Sequence, residues 1–425
     1  MNKTGVRGDA ANSLYAAFLI FALLSFFCLN STGDGAEAGP VPLLAKEHPV
    51  DWWFVFKFNS AKFPQCGGTA VRQCTFGGDA QPYGFGQQFV YASSESPSLQ
   101  KGVNCLGDTT GDPVGATFDE VYNGSFHYVV WNDQFYDHPH INGCSTSCGS
   151  PWGHSKGLLA WDDSGSGLVL QVTTPSWPGS GSAQSPRKSD GNTLGCVNHD
   201  DVTLSQHFFA LKLTKDDVVK VLSALQNASV VTDPTDSQIV ADGGPQDIQD
   251  LVNRLGKKSA SKNLLETTLS SGVRLISKPS HLNVPPWQMV SARLGGAALR
   301  TATFWTTPQI PSTTSATSID CWDDTLGKPG AVENAETGQW SGTQFGLTGG
   351  PGAPFNHAKI GVSTSGTHHY AIFGDMNQQG SLTAPKCSRS QNGRGGLFYV
   401  IENQPLSDSL SQLITTGAAD GNASP

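Results

Sequence analysis

Two short stretches carry residue types that can do chemistry together. Gly153-His154-Ser155-Lys156-Gly157 and Phe355-Asn356-His357-Ala358-Lys359 both read His-x-Lys, and they lie about half the chain apart. Each runs into apolar residues that end at a turn-rich segment, and Gly374-Asp375-Met376-Asn377 follows the second. In an extended strand residues i and i+2 share a face, so each His is expected beside its Lys. An imidazole can act as nucleophile or as acid and base. An ammonium beside it favours a bound anion and stabilises charge developing on it. Two such units facing one another suit phosphoryl transfer. The cations hold the phosphate, one His attacks, the other protonates the leaving oxygen, and the scheme calls for no metal or cofactor. One His-x-Lys arises easily by chance. Two copies in matching surroundings imply a pseudo-symmetric enzyme with a single site built from two halves.

The elements that must position these units are strands. Val50 to Lys57 is aromatic and β-branched, and His127 to Asp133 reads the same way. The first unit continues as Gly157 to Trp161, turns at Asp163-Ser164-Gly165 and returns as Leu168 to Val172. The second runs from His357 to Val362, turns near Ser365-Gly366 and returns as His369 to Asp375, so both sit on hairpins. Val273 to Ile276 and Leu397 to Ile401 read as further strands. After alternation at Phe208, Leu211 and Leu213 comes a helix, capped by Thr214 with Asp216 and Asp217 in its first turn. Val218, Val221, Leu222 and Leu225 form its apolar stripe. Helical signals resume at Ile248 to Val252. Gly67 to Gly115 reads as long loops, and Trp305 to Pro354 is rich in Thr, Ser, Gly and Pro.

Residues 1–38 read as a secretory signal peptide: basic Lys3 and Arg7, an apolar run from Leu14 to Leu29, then small residues up to Ala38. Cleavage is favoured over an uncleaved anchor, because the run is short for a membrane span. The expected division is a first half over 39–230, a second over 231–405 beginning in the polar stretch Val231 to Gln246, and a loosely ordered tail over 406–425. Eight cysteines follow the signal: Cys66, Cys74, Cys105, Cys144, Cys148, Cys196, Cys321 and Cys387. An even number behind a leader argues for disulfides. Connectivity does not follow from sequence; Cys321 with Cys387, a within-half pair, is the expected one. Cys144 and Cys148 lack the second pair that zinc would need. The triplets at Asn30, Asn123, Asn227 and Asn422 fit a glycoprotein of the secretory route.

Further blocks accompany the two units in a fixed order. They are Asp51-Trp52-Trp53 with Lys57, Pro175-Ser176-Trp177-Pro178, Leu194-Gly195-Cys196-Val197, Phe209-Ala210-Leu211-Lys212-Leu213 and Arg394-Gly395-Gly396. With both His-x-Lys units they span roughly residues 50–402, and in that order the chain resembles the deoxyribonuclease II family. The resemblance implies a phospholipase D-like fold, a mixed α+β or α/β pseudo-dimer of two mixed-sheet halves in one chain. It implies DNA hydrolysis without metal in an acidic lysosomal or vacuolar lumen, or after secretion, with 3′-phosphate ends. Carried over by position, His154, Lys156, His357, Lys359 and Asn377 are the catalytic set, passing through a phospho-histidine. Gln171, Asp375 and Arg394 are substrate-binding candidates.

One departure stands out. Many members of that family place a His on the strand returning from the first unit, where this chain has Gln171-Val172-Thr173. Gln171 can hydrogen-bond a phosphate but cannot supply a proton. The formal charge of −9 opposes DNA binding at neutral pH, although protonating the 11 histidines would reverse the sign. Lys386, Arg389 and Arg394 would line the cleft, Trp152 and Trp161 could stack on bases, and Asp162 and Asp163 are candidate acids after the first Lys. The partner is DNA, with no stable membrane association after leader cleavage. Two other functions stay open: a secreted DNA-binding glycoprotein without catalysis, and a related phosphodiesterase acting on another substrate such as phospholipid.

Overall fold

The computed structural model describes residues 39–63, 88–103, 105–107, 109–135, 147–175 and 203–415. The signal segment, the blocks at 176–178 and 194–197, Cys66, Cys74, Cys144, Cys196, Asn30 and Asn422 lie outside them.

The first sheet is built from β1 (Trp52–Lys57), β2 (Phe89–Ser93), β3 (Gln100–Lys101), β4 (His127–Asn132), β5 (Lys156–Trp161), β6 (Gly167–Val172), β7 (Gln206–Leu213) and β8 (Val240–Ala241). Its order is β8-β4-β5-β6-β7-β1-β2-β3, antiparallel throughout. The second sheet holds β9 (Leu265–Thr268), β10 (Arg274–Lys278), β11 (Leu299–Ala302), β12 (Val332–Asn334), β13 (Ile360–Ser363), β14 (Tyr370–Gly374) and β15 (Gly396–Glu402). Its order is β9-β10-β15-β14-β13-β11-β12, with only β11–β12 parallel.

The two sheets share a core. Phe373 on β14 stacks on Phe54 of β1 and Phe209 of β7, at centroid distances of 4.5 and 4.7 Å. The other face of β1 turns to helix α1 (Pro113–Asn123), where the Trp53 indole donates to Thr117 Oγ1 at 3.1 Å. Burial on both faces explains why β1 reads as a continuous apolar run. Helix α2 (Lys215–Ala228) starts at a capping box of Thr214 and Asp217. Its stripe Val218, Val221, Leu222 and Leu225 is fully buried against β6 and β7 of the first sheet and β10 and β15 of the second. Shorter helices α3 (Gln246–Val252), α4 (Pro286–Arg293) and α5 (Gln404–Leu413) complete the mixed α+β architecture.

Several boundaries differ from expectation. The polar stretch after Val231 is not a junction, since β8 within it pairs with β4 and extends the first sheet. The first part of the expected tail forms regular structure: Asn403 caps α5, whose Leu406, Leu410 and Leu413 are buried, and Ile414 pairs with Gly338. The loop region ends earlier than Gly115, because Asp112 caps α1 with Pro113 in the first turn. Cys321 and Cys387 form a disulfide, and Cys105 and Cys148 are disulfide-bonded too, so the Cys148 thiol is not open to zinc. Asn123 is exposed, whereas the Asn227 amide donates to the Ser277 carbonyl at 3.1 Å. No helix among the described residues is long and apolar enough to cross a membrane.

Candidate active site

Register places the chemical residues at one end of each sheet. Lys156 opens β5 and pairs with Asn132, so Asp133 lies just beyond the end of β4. Lys359 directly precedes β13, and Asp375 directly follows β14. Gln171 is near the end of β6, and Lys57 ends β1 beside the start of β7.

The two units are tied across the molecule in the same way. The His154 N–H donates to the Gly395 carbonyl at 2.8 Å, next to the start of β15. The His357 N–H donates to the Ser205 carbonyl at 2.7 Å, next to the start of β7. Ser205 and Asn356 form a parallel bridge, so the sheets are stitched together at the site. Glycine is required at the first seam: a Cβ on Gly153 or Gly395 would come within 2.6 or 2.1 Å of the Ala228 carbonyl oxygen.

The side chains form two different settings. The Lys156 ammonium is 2.5 Å from Asp133 Oδ1, and Arg394 Nη2 donates to Asp133 Oδ2 at 2.8 Å. Arg394 also donates to the Trp152 and Gly153 carbonyls at 3.0 and 2.7 Å. It is therefore a buried strut under the His154 segment. Burial alone would raise the Asp133 carboxyl, but Lys156 and Arg394 outweigh it and hold it well below the carboxylate range. In the second half Lys359 Nζ donates to the His357 carbonyl at 2.5 Å, and the Phe304 ring meets the His357 ring edge-on at 4.7 Å.

His154 Nδ1 is 2.6 Å from the Asp375 backbone oxygen. A carbonyl only accepts, so Nδ1 carries the proton and Nε2 of the neutral ring keeps its lone pair. Burial lowers the His154 pKa well below its usual value; Asp133 opposes this, while Lys156, Arg394 and Lys359 reinforce it. Burial also lowers His357, with Lys359, Lys156 and Lys57 adding to the effect. Each imidazole thus lies in the field of the other unit's lysine. Both rings are half-buried, while Lys156, Lys359 and Lys57 are buried.

Asp375 is pushed up to about 7 by burial, against hydrogen bonds from Ser155, the Leu397 N–H and Gln171. Gln171 Nε2 donates to Asp375 Oδ1 at 2.9 Å, and its Oε1 is 3.2 Å from His207 Nε2. The Asn377 N–H meets Gln391 Oε1 at 3.3 Å. Its side-chain Oδ1 is buried without a hydrogen-bond partner among the described residues.

Other candidates take different settings. Trp161 is enclosed in the core and donates to the Gly243 carbonyl at 3.0 Å, so it cannot stack on a base. Half-buried Trp152 has the Lys258 ammonium 5.3 Å from its ring centroid. Asp162 accepts from Ser164 and Ser166 in its own turn, and exposed Asp163 pairs with His127. Lys386 and Arg389 line a surface cavity of about 330 Å³ with Gln309 and Gly380. Three polar groups of the site region carried little signal in the sequence: Asp133, which read as the end of a strand; His207; and Lys278, wholly buried with its ammonium on the Asn392 and Arg394 carbonyls at 2.7 and 2.9 Å.

The comparisons give the class: a hydrolase acting on phosphodiester bonds of DNA. The model of the family described as Deoxyribonuclease II matches residues 42–418, and the chain belongs to that family. Among solved structures, a mutant of the yeast tyrosyl-DNA phosphodiesterase is similar at 9% identity, over 68% of this chain and 87% of that one. The TM-score is 0.32. No curated protein matches.

Proposed function

We propose that the protein is an acid endodeoxyribonuclease whose two His-x-Lys units form one site, on a phospholipase D-like pseudo-dimer. The observation that carries this is reciprocal. The amide of each His is bonded to the opposite sheet, and each imidazole feels the lysine of the other unit.

His154, Lys156, His357, Lys359 and Asn377 do the chemistry. A DNA phosphodiester enters between the ammonium groups of Lys156 and Lys359, which stabilise the charge building on its free oxygens. His154 Nε2 attacks phosphorus. The bond to the 5′ oxygen breaks, and His357 gives that oxygen its proton. The downstream strand leaves with a 5′ hydroxyl, and the strand that ends in the 3′ oxygen remains on His154 through a P–N bond. His357, now neutral, takes a proton from water, which attacks the phosphorus. The P–N bond breaks, His154 recovers its lone pair and a 3′-phosphate leaves. Arg394, Asp375 and Gln171, first read as substrate-binding, are proposed instead to position His154 and Lys156. Nothing in this sequence of steps requires a metal or cofactor.

His357 must start protonated, yet its surroundings depress its pKa. A bound phosphate anion opposes that field, and low pH completes the protonation. The acidic working range and disulfides such as Cys321–Cys387 fit a lysosomal, vacuolar or secreted enzyme that reached its compartment through the secretory route and is not held at a membrane.

The engagement of Gln171 at both ends keeps one rival open, a DNA-binding glycoprotein without catalysis. Plasmid nicking at pH 5 with excess chelator separates the readings. Nicking lost in His154→Ala and in His357→Ala supports the nuclease. DNA retention without nicking supports the binding protein, and turnover of a phospholipid diester without nicking supports a different phosphodiesterase.

A further inference from the structure

His207 is the only fully buried histidine among the described residues. It lies on β7 opposite Phe56 of β1, with the rings of Phe54 and Phe373 each 6.1 Å away. An apolar residue would fill such a place without the cost of burying two polar nitrogens. Both nitrogens have partners, and both partners belong to the site. Nδ1 accepts the backbone N–H of Lys359 at 3.1 Å, and Nε2 faces Gln171 Oε1 at 3.2 Å.

These partners fix the tautomer. The Lys359 amide can only donate, so Nδ1 is bare. The Gln171 oxygen can only accept, so Nε2 carries the proton. The order continues from Gln171 Nε2 to the Asp375 carboxyl at 2.9 Å, and the Asp375 backbone oxygen receives His154 Nδ1–H at 2.6 Å. The chain of contacts passes from the second sheet to the first, back to the second, and ends on His154. It therefore links the lysine of one unit to the imidazole of the other. A doubly protonated His207 would set an N–H against the Lys359 N–H. Burial, and then the Lys359 charge, keep the ring neutral.

We propose that His207 is a positioning residue which, as the neutral Nε2–H tautomer and through Gln171 and Asp375, sets Lys359 and His154 in register across the two halves. The role rests on the nuclease reading, and the test separates the two. Plasmid nicking by the wild-type protein at pH 5 with chelator comes first. His207→Asn keeps an acceptor near the Nδ1 position but cannot reach Gln171; His207→Leu fills the space and loses both contacts. The expectation is that both variants keep their far-UV circular dichroism and a KM for DNA near wild type. For kcat the expected fall is about 100-fold in the Leu variant, the scale of a misplacement near 1 Å, and less in the Asn variant. Folded variants with wild-type kcat would overturn the role, as would losses that track the folded fraction with kcat and KM moving together. If the wild-type protein does not nick, the nuclease reading fails and the positioning role is judged by nitrogen-15 NMR. The expected result is an Nε2–H His207 signal in the wild-type protein, and His154 and His357 titrations that are displaced in His207→Asn. An Nδ1–H signal, or unmoved titrations, overturns it.

Discussion

The two His-x-Lys units share a backbone plan and differ in their charges. Each precedes an antiparallel hairpin, β5–β6 in one sheet and β13–β14 in the other, and each His amide is held by the opposite sheet. In the first unit a buried carboxylate, Asp133, takes both Lys156 and Arg394. In the second, Lys359 caps the carbonyl of its own His357. As a result His154 feels Asp133 among several cations, whereas Lys359, Lys156 and Lys57 all add to the lowering at His357. Repeating a strand arrangement does not repeat its chemistry. Groups of one type in unlike fields take unlike roles; in the proposed mechanism these are a nucleophile with a fixed tautomer and a proton donor that depends on the substrate's charge.

The sharpest way to break this comparison is to remove each ring. His154→Ala and His357→Ala should each lower kcat for plasmid nicking by about 10⁴-fold or more, and the double variant should lose little beyond either one, because the two act as a unit. The division of labour adds a finer expectation. With a phosphodiester bearing a good leaving group, such as a nitrophenyl ester, His357→Ala should still release nitrophenol in a single burst, since departure no longer needs an acid. His154→Ala should give no burst. A burst in His154→Ala alone would reverse the assignment.

The lysines should separate the halves in another way. Lys359→Met should cost about 10²–10³-fold in kcat, the scale for losing one donor to transition-state charge, with a modest change in Tm. Lys156→Met should cost similar activity and also about 3–5 kcal/mol of stability, because it leaves the buried Asp133 carboxylate with one partner fewer. Thermal unfolding of the two variants measures the contrast, and equal Tm values would contradict it.

The pH profile follows from the second unit. A histidine with a lowered pKa is protonated only below its ordinary midpoint of about 6.5. The acid form of His357 that the proposed mechanism requires is thus lost as pH rises, and kcat/KM should fall about tenfold per unit on the alkaline side. Replacing Lys57 by Met removes one of the cations that depress His357, so the falling limb should move to higher pH. An unmoved limb would mean that another group sets it.

Much of this was legible in the sequence because it is local. The spacing in His154-Ser155-Lys156 and His357-Ala358-Lys359, the hairpin turns after them, and the cap and stripe of α2 all lie within a few residues. What escaped depends on distant contacts. Asp133 looks like a strand end until β4–β5 register brings it to Lys156. Arg394 reads as a loop cation for the cleft, yet Asp133 and the Gly153 carbonyl bury it. Trp161 follows a motif, but the pleat turns it into the core. His207 is hidden in an aromatic strand, and its two partners lie 36 and 152 positions away in sequence. The Pro-led starts of α1 and α4 are local signals that could have been read.

The smallest expected effect concerns Lys278, which anchors the loop around Asn392 and Arg394. Its buried ammonium donates to the Asn392 and Arg394 carbonyls, next to the Gly395 carbonyl that holds His154. Lys278→Met should loosen this loop and lower kcat a few-fold, about 1 kcal/mol of transition-state stabilisation, leaving KM nearly unchanged. Stability carries the clearer sign. Burial lowers the folded-state pKa of Lys278 from 10.5 to about 7, so between those values the unfolded chain binds more protons than the folded one. Wild-type stability should therefore rise with pH through that window relative to the Met variant. The Tm difference between the two proteins, followed from pH 6 to 10, should shift steadily in favour of wild type; a flat difference would show that Lys278 keeps an ordinary pKa and grips the loop less tightly than its contacts indicate.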